Sequence, residues 1–95
     1  INFEMIVETT AAAYNFDSDV IFTKNRMRNI ADARQVVMYL ANKFTDLSST
    51  MIGAKLGRTH ATVLHGIKNV QNRIGVEKSF AEFIDQIETT LKKYR

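Results

Sequence analysis

Between Leu47 and Asn72 the chain reads LSSTMIGAKLGRTHATVLHGIKNVQN. Its Lys55, Arg58 and Lys68 have no acidic residue among them. At the centre stand Arg58, Thr59, His60, Ala61 and Thr62. An arginine offers a planar fork of donors for guanine or phosphate. Histidine and threonine offer hydrogen-bonding groups for base edges, and the alanine methyl suits the methyl of thymine. These residue types fit recognition of a duplex rather than covalent catalysis. The chain has no cysteine, no HExxH pair, no glycine-rich phosphate loop and no serine, histidine and acid that can be placed together. His65 lies five residues beyond His60, about 140° around a helix, so the two are not expected to share a metal.

These side chains need two helices to present them. Ser49 to Leu56 reads as a short helix capped by Ser48, and Gly57 supplies the turn that ends it. A second helix is expected from His60, with Thr59 as its N-cap, to about Arg73 before Gly75. Its apolar stripe is Val63, Ile67, Val70 and Ile74. Gly66, inside it, is expected at a close helix contact. Two helices joined by a short glycine-containing turn make a helix-turn-helix pattern, in which the first turn of the second helix faces base edges in the major groove. The free N–H groups at that helix start also favour a phosphate.

The rest of the chain also reads as helix. Proline is absent, and no segment alternates convincingly at period two. A first helix is expected from Phe3 to Tyr14, capped by Asn2, with Phe3, Ile6, Val7, Thr10 and Tyr14 on one stripe. A short turn follows from Asp17 or Ser18 to Phe22, burying Val20, Ile21 and Phe22. Thr23 to Arg28 reads as an exposed basic loop. A long helix then runs from Ile30, capped by Asn29, to Phe44, on a stripe of Ala33, Val37, Leu40, Ala41 and Phe44. The last helix spans Glu77 to Tyr94, with Phe80, Ile84, Ile87 and Leu91 in register and Phe83 widening the stripe. Met27 and Met51 are expected to be partly buried fillers, and Arg73 a surface residue. The fold class is therefore all-α: a five- to six-helix domain containing a helix-turn-helix.

The charge is arranged in blocks. The net charge is +3. Residues 1–19 carry only acids, Glu4, Glu8, Asp17 and Asp19. Residues 20–31 carry only bases, Lys24, Arg26 and Arg28, and residues 47–76 only Lys55, Arg58, Lys68 and Arg73. Two acid-free basic blocks are the footprint of a polyanionic partner. The lack of cysteine removes disulfides and thiolate chemistry and accords with a reducing cytoplasm. No apolar run approaches the roughly 20 residues of a membrane span. The 95 residues make one domain. The chain opens on Ile1, so residues 1–95 are expected to be the C-terminal part of a larger protein.

The segments ARQVVMYLANKFTDLS and IGAKLGRTHATVLHGIKNV resemble the C-terminal DNA-binding domain of DnaA, the bacterial chromosomal replication initiator. Nearly the whole chain aligns, and the match is densest from Ala33 to Lys68. The resemblance implies a site. The family's minor-groove arginine falls on Arg26, with Lys24 and Arg28 beside it. Its Arg-Gln pair on the DNA backbone falls on Arg34 and Gln35. Phosphate contact through backbone amides falls on Ser49 and Thr50, and the start of the recognition helix on Arg58, His60 and Thr62. The implied partner is double-stranded DNA, with no cofactor in this domain, no small-molecule substrate and no membrane. The implied state is a monomeric isolated domain, cytoplasmic and nucleoid-associated, in a parent whose ATPase lies elsewhere.

The chain also departs from the family. One glycine, Gly57, stands where the family usually has two. Thr59 replaces an aspartate, Ala61 a threonine and Asn42 a lysine. A carboxylate accepts from the cytosine amine in a way a hydroxyl does not match. The departures leave open a paralogue, regulator or mobile-element protein with a different DNA site. On the residues alone, a protein-docking helix-turn-helix is the rival class.

Overall fold

The first helix forms because Asn2 caps it and its apolar residues recur at helical spacing. In the computed structural model, which describes residues 1–93, α1 spans Phe3–Ala13. Asn2 Oδ1 accepts from the Met5 amide at 2.9 Å. Phe3, Ile6, Val7 and Thr10 are buried as expected. Asn15, in the left-handed region at φ 63°, carries the chain away, a conformation asparagine tolerates better than most residues. A 3₁₀ turn follows over Ser18–Phe22. It buries only Ile21 fully, and Phe22 remains 47% exposed with its ring tilted against Phe3. Three successive residues of so tight a turn point in different directions, so one neighbour claims one of them.

Next come α2 over Arg28–Phe44, α3 over Ser49–Leu56, α4 over His60–Val76 and α5 over Lys78–Lys92. The end of α1 and the start of α5 differ from expectation by one residue, and two boundaries differ by more. The long helix α2 starts at Arg28, and Asn29 is not its cap; the Met27 carbonyl already accepts from Ile30 and Ala31. The helix α4 runs through Gly75, which has no positive φ. Glu77 turns the chain instead, held by its amide on the Arg73 carbonyl at 2.8 Å and by an Arg73–Glu77 ion pair at 3.1 Å. The extension of the last helix to Tyr94 falls outside the described residues.

Helices α2 and α4 cross at the centre. Gly66 makes this approach possible: a Cβ there would lie 2.7 Å from Met38 Sδ and 3.3 Å from Gln35 Cγ. Val36, Val37 and Leu40 of α2 meet Val63 and Val70 of α4 in one core with Ile52, Leu56, Ile84 and Leu91. Each such side chain contributes about 1.5–3 kcal/mol by leaving water. Lys43 and the buried Glu88, 2.9 Å apart, join α2 to α5. Arg73 is less free than expected: it also faces Asp32 at 3.5 Å and stacks on Phe80. No strand occurs among the described residues, and none of their helices is long and apolar enough to cross a membrane.

Candidate nucleic-acid interface

The turn between α3 and α4 is set by local chemistry. Ser48 Oγ accepts from the Met51 amide at 3.1 Å and starts α3. Gly57, at φ 68°, ends it. The Arg58 amide donates to the Gly53 carbonyl at 2.8 Å and the Gly57 amide to the Ala54 carbonyl at 3.4 Å, the bond pair of a Schellman cap. Gly53 is required here too, because a Cβ at that position would collide with the Arg58 carbonyl. Thr59 then starts α4, its Oγ1 accepting from the Thr62 amide at 3.2 Å and lying 3.0 Å from Thr62 Oγ1.

The first turn of α4 is open. Thr59, His60, Ala61 and Thr62 are exposed, and His65 and Lys68 continue the same exposed stretch. Leu64, absent from the sequence-derived site, is also 52% exposed there. Its place one turn beyond His60 was a usable signal, since the buried stripe passes through Val63 and Ile67 instead. Ser49 is half-buried and Thr50 exposed, both just after the Ser48 cap. Met51 and Met27, expected to be partly buried, are 51% and 61% exposed. No group of His, Cys, Asp and Glu suited to a metal occurs among the described residues.

The basic loop has its own order. Thr23 Oγ1 donates to the Val20 carbonyl at 2.7 Å and accepts from the Asn25 amide at 3.3 Å. Asn25 Oδ1 accepts from the Met27 amide at 2.8 Å. Lys24 and Arg26 are exposed on this scaffold, and Arg28 is exposed on the first turn of α2 rather than in the loop.

Two arginines expected at DNA are bonded to backbone carbonyls, and one of them is buried. Arg34 is 6% exposed. Its guanidinium donates to the carbonyls of Ile21 at 2.9 Å, Thr23 at 2.8 Å and Asn25 at 3.3 Å. The reason is its place on α2: Ile30, Arg34, Val37 and Ala41 follow one helical stripe, and that spacing could have marked Arg34 as an inward residue. Burial, and then the Arg58 charge, push its pKa below the ordinary arginine value. Arg58 is half-buried and donates to the carbonyls of Leu56 at 3.0 Å, Gly57 at 3.3 Å and Thr23 at 3.3 Å. The Thr23 carbonyl therefore holds both arginines and joins the loop to the start of α4. Gln35 is half-buried on the side of α2 facing α4, its Oε1 accepting from Asn69 Nδ2 at 2.7 Å.

Residues 3–70 match the family model described as the bacterial dnaA protein helix-turn-helix. The chain belongs to that family. Among its curated relatives are the chromosomal replication initiator proteins DnaA of Bacteroides thetaiotaomicron and Bacteroides fragilis, 38% and 40% identical over 94 residues. The match covers 98% of this chain and 20% of each of those relatives. DnaA of Lachnoclostridium phytofermentans is 41% identical over 86 residues, 90% of this chain and 19% of its own length. The chain thus spans about a fifth of the relatives it matches. Within the DnaA family pattern, the single glycine before Arg58 still closes the turn, because Gly57 takes the left-handed conformation that the turn needs.

Proposed function

We propose that this domain binds double-stranded DNA at a specific sequence resembling a DnaA box, as the DNA-binding part of a replication initiator. The observation that carries this reading is the Thr23 carbonyl, which ties the exposed basic loop to the start of the exposed recognition helix. Two recognition elements joined in this way suit one duplex: α4 enters the major groove, and Arg26 reaches the adjacent minor groove. His60, Ala61 and Thr62 read base edges, with Thr59 at their head. The Ser49 and Thr50 amides, Arg28 and the free amide of Gln35 set the register on phosphates. Arg58 serves the base edge or the phosphate by releasing one of its three carbonyls. The reading calls for no cofactor in this domain and for a monomer on one site.

A second reading has specific support: Thr59 and Ala61 stand where the family has aspartate and threonine. It keeps duplex binding and changes the target, as in a DnaA-like regulator. One experiment tests both. The chain is used to select from a pool of random duplex DNA. Enrichment of a DnaA-box-like motif supports the initiator reading, and enrichment of an unrelated motif supports the second. Failure to enrich any motif overturns sequence-specific binding.

A further inference from the structure

Arg34 is buried, yet its side-chain bonds are directed at the basic loop and the 3₁₀ turn that leads into it: Thr23 and Asn25 of the loop and Ile21 of the turn lend it their carbonyls. These acceptors lie 13, 11 and 9 residues away in sequence. The loop between them has few other anchors. Lys24, Asn25, Arg26 and Met27 are all exposed. Only the side-chain bonds of Thr23 and Asn25 give the loop internal order. A guanidinium can hold three carbonyls because its donors lie in a fixed plane. A lysine at the same place would bring the charge without the fork. We infer that Arg34 is a positioning residue, which shapes the loop that presents Lys24 and Arg26 and acts on DNA only through that loop. Arg58 adds a second donor to the Thr23 carbonyl and so sets the loop against α4.

This inference rests on the duplex-binding reading for its effect on DNA, but not for its effect on the loop. The two parts are tested separately. In the free 95-residue chain, Arg34→Lys should raise hydrogen exchange at the Asn25 and Met27 amides by about tenfold, while Ile84 and Leu91 of α5 exchange as before. Asn25→Ala, an exposed change that spares the core, should raise exchange at Met27 in the same way. Unchanged exchange in the loop of Arg34→Lys, or an equal rise throughout α5, overturns the positioning role.

On a duplex selected by the wild-type chain, Arg34→Lys should weaken binding about tenfold and reduce the preference for A·T-rich over G·C-rich flanks. In an Arg26→Ala background the same change should cost less than about twofold, because its effect passes through Arg26. A direct phosphate contact gives the opposite result. Lysine would keep most of the affinity, and any loss would persist without Arg26. Either of those outcomes overturns the inference. If no duplex is bound by the wild type, the functional reading fails and the claim that Arg34 acts on DNA falls with it, while the exchange measurement still decides whether it shapes the loop.

Discussion

Thr59 shows how one side chain serves the fold and stands at the candidate interface together. Its hydroxyl faces the helix start, where it accepts from the Thr62 amide and lies 3.0 Å from the Thr62 hydroxyl. Little of its hydrogen-bonding capacity is left for a base. An aspartate has two oxygens, so one can cap while the other accepts from a cytosine amine. Thr59→Asp should therefore create a preference for cytosine at one base pair, by about 1–3 kcal/mol. The melting temperature should barely move, since both residues cap well. Binding of both proteins to duplexes carrying all four base pairs at each position checks this, and identical preferences would leave Thr59 as a cap alone. Arg26 is the complementary case, exposed on the loop. Arg26→Ala should weaken binding by about 1–3 kcal/mol, most on A·T-rich flanks, where the minor groove is narrow and its potential most negative. Equal losses on both kinds of flank would mean a phosphate contact only.

At the scale of elements, the helix-turn-helix depends on two glycines for different reasons. Gly57 needs its backbone conformation, and a Cβ there would meet nothing. Gly57→Ala should cost about 1–2 kcal/mol, the left-handed penalty for a residue with a Cβ. Gly53 needs its missing side chain, because a Cβ there would strike the Arg58 carbonyl, a backbone atom held by the turn. Gly53→Ala should cost more, about 3 kcal/mol, and should displace the start of α4 as well. Urea unfolding of the two variants gives the order, and a smaller loss at Gly53 would contradict the packing argument. The joint of α1, α4 and α5 makes a different demand. Tyr14 packs edge-on against Phe83, with ring centroids 5.0 Å apart. Burial first, and then the Asp32 carboxylate, push its phenol up to about 12. Because the folded value lies above the ordinary 10.0, this contribution is whole below pH 10 and is lost as pH rises toward 12. Tyr14→Phe should flatten the fall in stability over that window. Alkaline denaturation curves of equal slope in the two proteins would count against it.

For the whole molecule, the burial of Arg34 removes one cation from the surface, and the carbonyl bonds of Arg58 compete with any phosphate it meets. Lys24, Arg26, Arg28, Lys55 and Lys68 remain exposed in the two basic blocks, Lys55 with its ammonium over the Phe3 ring. Neutralisation of about four phosphate charges by the other cations gives log K a slope of about −3.6 against log salt. Measurement of affinity across a salt series checks this, and a slope shallower than about −2 would exclude so broad a footprint. Docking of an apolar helix face to a protein would show little salt dependence.

Much of this protein is set within a few residues of each position, and that part was legible in the sequence. Ser48, Thr59 and Asn2 bond to amides three residues away, so their types and spacing alone located three helix starts. Gly57 marked the turn because the left-handed conformation is a local demand. Periodicity identified the buried stripes because each helix shows the core one face. Gly75 misled because a glycine permits a turn without requiring one, and the Arg73–Glu77 pair carried α4 past it. Met27, Met51 and Phe22 misled because an apolar side chain is buried only where a neighbour covers it. Spacing on α2 marks Arg34 as inward, but the partners of both arginines were decided by tertiary structure. A guanidinium carries the same charge whether it meets a phosphate or a carbonyl. The Ile21, Thr23 and Asn25 carbonyls that hold the two arginines lie between 9 and 35 residues away in sequence, and only the folded chain brings them within reach.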